Sequence, residues 1–87
     1  MRPPPLIRMK PPHLVRALIS AKLAARRLPG EHPVVTSTGM GTGTACAACE
    51  DPIRAVDVEC ASEYAGQPAL RFHIDCFTEW RRQQREH

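Results

Sequence analysis

Cys46, Cys49, His73 and Cys76 are the residues of this chain best suited to a shared chemistry. Cys46-Ala47-Ala48-Cys49 and His73-Ile74-Asp75-Cys76 each set two donor side chains three positions apart. A tight turn aims the first two thiolates at one ion, and a single helical turn brings His73 and Cys76 to the same side. Sulfur and imidazole donors in a set of four suit a tetrahedral zinc ion, with bonds of about 2.3 Å to sulfur and about 2.0–2.1 Å to nitrogen. The expectation is one structural Zn2+ held by Cys46, Cys49, His73 and Cys76. The mixed donor set favours zinc over iron. Cys60 is expected to be a small core residue, and it is the substitute ligand if His73 does not bind.

The elements needed to position these donors are few. With 87 residues, the chain suits one small domain and a tail, a size at which a metal often makes up for a small core. Residues 1–11 hold Pro3-Pro4-Pro5 and Pro11 and are expected to be a disordered, proline-rich leader. Residues 12–28 read as a basic amphipathic helix. Leu14, Leu18, Ala21, Ala25 and Leu28 form one apolar stripe, and Val15, Ile19 and Leu23 form a second line among basic residues. Pro29-Gly30 should end it. Residues 29–43, punctuated by Gly39, Gly41 and Gly43, are expected to be a flexible linker. The Gly-Met-Gly-Thr-Gly run at 39–43 lacks the Gly-Lys-Ser/Thr ending of a phosphate loop.

Residues 44–87 are expected to be the zinc-binding finger. After the first ligand pair, alternation over 53–60 predicts a strand with Val56, Val58 and Cys60 on its buried face. Leu70 and Phe72 predict a second strand over 69–73, pairing with the first as an antiparallel hairpin that returns the chain to the metal. Residues 74–84 read as the last helix, with Asp75 as its N-cap and Phe77 and Trp80 covering the hairpin. The fold class is thus a small α+β zinc-stabilised domain.

A zinc knuckle, a hairpin and a helix that carries the last ligands resemble the treble-clef zinc fingers. The ligand pairs and Phe77 look like one zinc half of a LIM domain, and that likeness covers nothing else. A longer likeness is to a group of small bacterial zinc-finger-like proteins. Its residues here are Arg27-Leu28-Pro29, the glycines at 39–43, Cys46 with Cys49, and Phe72-His73 through Cys76-Phe77 to Trp80. The resemblance implies a bacterial cytoplasmic zinc protein and brings no activity with it. One position departs: such knuckles often place Gly after the second Cys, where this chain has Glu50. If that position needs a positive φ, Glu50 is strained there.

Charge narrows the choice of partner. Residues 1–30 carry seven basic residues and no acid, whereas residues 31–87 carry five Arg against nine acids, which accounts for the net charge of +3. The basic segment could meet a protein, a nucleic acid or an acidic membrane surface. No apolar run has the length of a membrane span or a signal peptide, so a cytoplasmic location is expected, where spaced cysteines bind metal more often than they pair. Five prolines in the first twelve residues argue against a mitochondrial presequence.

Catalysis finds little support in the sequence. A redox Cys-x-x-Cys would want a βαβ setting, and a zinc deaminase would want His-x-Glu ahead of Pro-Cys-x-x-Cys. No His-Asn pair suggests a nuclease. The reading is a zinc-binding interaction module and not an enzyme, meeting a protein partner through residues 12–28. Zinc-dependent nucleic-acid binding through the basic N-terminal segment, as in a transcription-associated protein, is the alternative.

Overall fold

The computed structural model describes residues 10–86; the proline-rich leader expected over 1–11 falls almost wholly outside them. The order of elements is α1 (Pro12–Ala24), β1 (Val35–Met40), β2 (Val58–Glu63), β3 (Leu70–His73) and α2 (Ile74–Glu86). The three strands form one antiparallel sheet in the order β1-β2-β3. This is a small α+β domain.

Helix α1 starts on proline, whose fixed φ suits a first turn and whose missing N–H would be unpaired there anyway. It ends at Ala24, four residues earlier than the sequence pattern predicts. Arg26 takes a left-handed φ of 61°. Its N–H donates to the Leu23 carbonyl at 3.1 Å, and Arg27 N–H donates to that of Lys22 at 2.7 Å. This is the Schellman closure, made here without glycine. The reversal drives Leu28 into the core, where it is 2% exposed.

The rotation of α1 also differs from expectation. Val15, Ile19 and Lys22, at steps of four and three, are its buried line, while Leu14 of the expected stripe is 40% exposed. Two apolar lines compete on this helix. The buried line puts Lys22 beside the Cys46–Cys49 loop, where its amine meets the Ala47 carbonyl at 3.0 Å and Glu50 at 2.7 Å. Gln83 of α2 donates to the Arg16 carbonyl at 3.0 Å, which fixes the two helices against each other.

Part of the stretch expected to be a linker is the edge strand β1. Its Val and Thr residues favour extended backbone, and the ladder with β2 outweighs the glycines. Val35 faces Glu63 and Met40 faces Val58 in that ladder. Gly41 follows at a close approach, where a Cβ would lie 1.9 Å from the Arg54 carbonyl oxygen. Strand β2 begins at Val58, later than predicted, because Arg54 to Asp57 close a turn through Asp57 N–H to the Arg54 carbonyl at 2.9 Å. Val56 and Val58 are therefore exposed, and Cys60 and Ser62 take the buried face. Cys60 pairs with Phe72 of β3, so the expected hairpin is formed in this register.

Trp80 and Phe72 make the centre of the core. Their rings stack with centroids 4.6 Å apart, and Phe77 meets both edge-on. The Trp80 indole N–H donates to the Pro29 carbonyl at 3.0 Å. Gln84 reaches the Pro29 and Glu31 carbonyls, and Tyr64 donates to Glu31 at 2.7 Å. These polar ends pin the chain between α1 and β1 onto α2. Val15, Ile19 and Leu28 join Ile53, Phe72, Trp80 and three of the cysteines in one cluster.

Candidate metal centre

The ligand loop is built by short-range backbone bonds. Cys46 N–H donates to the Asp51 carbonyl and Glu50 N–H to that of Cys46, both at 2.9 Å. Ala45 and Pro52 make an isolated antiparallel bridge just outside them. The loop is a knuckle that holds Cys46 and Cys49 side by side. Ala47 N–H donates to the outward carbonyl of Arg71 at 2.8 Å, which ties the knuckle to the free edge of β3. His73 is the last residue of β3 and Cys76 lies in the first turn of α2. Strand end and helix start thus bring the second donor pair to the first. The helix begins one residue ahead of the cap expected at Asp75. That residue therefore lies within the first turn, where its charge favours the helix dipole and its Oδ1 accepts from Cys76 N–H at 3.2 Å.

The structure gathers all four predicted residues. One donor atom each from Cys46, Cys49, His73 and Cys76 lies within 4.8 Å of every other, and all four residues are buried. Cys49 Sγ is 3.4 Å and Cys76 Sγ 3.9 Å from His73 Nδ1. In a tetrahedral site with bonds of about 2.3 Å to sulfur and about 2.05 Å to nitrogen, the sulfur–nitrogen edge is about 3.6 Å. The two observed separations bracket that value. Cys60 is on β2, outside this group.

His73 is oriented for this role by its other nitrogen. Nε2 lies 3.2 Å from the Pro52 carbonyl oxygen. A carbonyl can only accept, so Nε2 carries the hydrogen and the Nδ1 lone pair faces the three sulfurs. The Asp57 carboxylate stands 3.8 Å from Nε2, close enough to favour a polarised ring. Neither partner was legible in the sequence, although Pro52 stands three residues after Cys49.

The three thiols are tied to one another by hydrogen bonds. Hydrogen bonds from Cys49 and Cys76 hold the Cys46 thiol far below the usual range. The bond with Cys46 pushes Cys49 up, and hydrogen bonds with Cys46 and Cys49 push Cys76 up further. Ionising all three thiols in one buried volume would be costly, and a cation among them would offset that cost. The donor set, the distances and the histidine tautomer all fit a bound metal ion.

No protein-family model, curated protein or solved structure matches this chain. The site is read from its own chemistry.

Lys22 completes the surroundings. Its amine donates to the Ala47 carbonyl inside the knuckle at 3.0 Å and lies 2.7 Å from Glu50 Oε2. Glu50 has a φ of 73°, so the position after the second Cys does require the left-handed region. Lys10 likewise pairs with Asp51 at 3.2 Å. Two cations of the basic N-terminal segment, Lys10 and Lys22, are thus paired with the two acids of the knuckle, Asp51 and Glu50. The uneven division of charge along the sequence was the signal that could have found these pairs.

Proposed function

We propose that the chain is a zinc-stabilised interaction module of treble-clef type, and that it binds a protein rather than catalysing a reaction. The observation that carries this reading is the buried Cys3His cluster. Four protein donors close a tetrahedral sphere and leave no position for substrate or water, the arrangement of structural zinc sites. The mixed sulfur and nitrogen donors select zinc among common cellular ions. Zinc binding in such modules is coupled to folding, and here the knuckle, β3, α1 and α2 all meet at the cluster.

What the fold leaves open supports a binding surface around the edge of the sheet. Val15 and Ile19 of α1 are in the core, so residues 12–28 offer less apolar surface than the sequence suggests. Val34, Val35, Met40, Val56 and Val58 are exposed instead, around β1 and the adjoining end of β2. Lys10 and Lys22 of the basic segment have carboxylate partners, whereas Arg16, Arg26 and Arg27 are exposed and, among the described residues, make no ion pair, so they are the cations left to a phosphate-bearing partner. The test is a mobility shift with mixed DNA and RNA at low and moderate salt. No shift at low salt is the expected result. A shift that collapses steeply with salt would give the nucleic-acid reading instead.

A further inference from the structure

We infer that β1 pairs with β1 of a second copy of this chain, joining two three-stranded sheets into one six-stranded sheet about a two-fold axis at Thr38. The inference deepens the proposed function, resting on the reading of the module as a protein-binding one. It names the partner as the chain itself.

The first ground is the state of the two sheet edges. Gly41 N–H donates to the Asp57 carbonyl at 2.9 Å, and the antiparallel ladder alternates from there. The backbone groups of Val35, Ser37 and Gly39 consequently turn toward β2, and those of Thr36, Thr38 and Met40 turn away from it. The opposite edge, on β3, is used by the knuckle through Ala47 N–H and the Arg71 carbonyl. Among the described residues, nothing bonds the outer side of β1. All six of its residues are exposed. Helix α2 packs on β3 and β2 and does not reach β1, so a second strand can approach.

The second ground is composition. Proteins ordinarily protect an open edge with charge, proline or a bulge. Val35-Thr36-Ser37-Thr38-Gly39-Met40 has no charge and no proline, and its register with β2 is unbroken over these six residues; the irregularity lies just before them, where Val34 N–H shares the Glu63 carbonyl at 2.8 Å. The outward residues are also spaced for self-pairing. With Thr38 opposite Thr38 and Thr36 opposite Met40, each outward N–H meets an outward carbonyl, for about six new hydrogen bonds. No like charges are brought face to face within the paired strands. A two-fold axis makes the interface self-complementary and closes it at two copies. Both α2 helices then lie on one side of the joined sheet. A six-residue strand pair buries less than the roughly 1,200 Å² of a standard stable interface, so the pairing is a weak, concentration-dependent one.

Sedimentation equilibrium of the full zinc-loaded chain tests this, from about ten micromolar to about one millimolar, the range where a weak pairing shows. A reversible monomer–dimer equilibrium is expected. Thr38→Pro removes an outward N–H while leaving the β2 ladder intact, and it should weaken dimerisation by at least about tenfold. Amide exchange on the wild-type chain gives a second readout that needs no variant. Raising the concentration should protect Thr36, Thr38 and Met40, whereas Ser37 and Gly39 are protected throughout. A chain that stays monomeric across the range, or exchange at Thr38 that ignores concentration, overturns the inference. Zinc content measured on the same samples separates the two readings. A zinc-bound monomer removes the pairing alone, and a metal-free dimer removes the zinc module alone.

Discussion

Lys22 and Glu50 join the N-terminal helix to the tip of the knuckle, amine to carboxylate, at 2.7 Å. Lys22 is 7% exposed, and the same amine serves the Ala47 carbonyl. Its hydrogen bond holds the Glu50 carboxyl below the usual range. The donor cluster and helix docking are therefore one structural unit, since the loop that presents Cys46 and Cys49 also presents the acceptors that Lys22 meets.

Lys22→Met should lower the stability of the metal-loaded protein by about 1–2 kcal/mol, because it strips a charged donor from a carbonyl beneath the helix. The two changes at this contact should also be non-additive. Glu50→Gly relieves a left-handed residue of its side-chain penalty but loses the partner of Lys22, so in the wild type the effects oppose each other. In the Lys22→Met background only the relief remains, and Glu50→Gly should stabilise. Urea midpoints of the four proteins measure this cycle. Equal effects of Glu50→Gly in both backgrounds would show that Lys22 and Glu50 do not act together.

Glu59 should give a pH signature. Burial alone would raise its carboxyl, but hydrogen bonds from Arg71 and Thr42 outweigh burial and keep it below the usual range. A carboxyl lowered in this way contributes stability above its unfolded pKa of about 4.3, and the contribution is lost as pH falls through the folded value. Arg71 is 40% exposed, so screening holds the cost of Glu59→Gln near neutral pH to about 1 kcal/mol. The gap between the two proteins should start to narrow as pH falls below about 4.3 and close only below the lower folded value. Comparing the pair by urea unfolding cancels acid release of metal, which both share. A gap that stays constant down to low pH would rule out the ionised carboxylate as its source.

Trp80 carries the core. Trp80→Ala removes the stack on Phe72 and the bond to the Pro29 carbonyl, and should cost about 3–5 kcal/mol. Trp80→Phe keeps the stack and loses only the donor, for about 1–2 kcal/mol. Thermal melts of the metal-loaded proteins rank the three. Similar melting for both variants would mean that the hydrogen bond, not the ring, holds the chain between α1 and β1.

The sequence and the structure agree best where one spacing allows one geometry. The two donor pairs, the Phe72 face of the hairpin and the aromatic face of α2 each depend on neighbours a few residues away. Agreement fails where a distant partner decides. Helix α1 has two apolar lines, and the buried one, Val15 and Ile19, lies on the side of Lys22, whose partners Ala47 and Glu50 are more than twenty residues on. Strand β1 is interrupted and followed by glycine, and its extension depends on β2, which periodicity in 35–40 does not reveal. Val56 alternates correctly with Val58 and Cys60 yet falls in a turn, because Asp57 takes the Arg54 N–H through its carboxylate at 2.9 Å. The tautomer of His73 depends on a backbone carbonyl, which no side-chain motif encodes.

A structural zinc ion held by Cys46, Cys49, His73 and Cys76 underlies the proposed function. Native mass spectrometry of freshly purified, reduced protein, before and after chelation and beside Cys76→Ser, tests it most directly. One zinc per chain is expected, lost on chelation together with the folded charge-state distribution, and absent or substoichiometric in Cys76→Ser. Metal-free protein with Cys46 and Cys49 joined in a disulfide, or full zinc retained by Cys76→Ser, would contradict it.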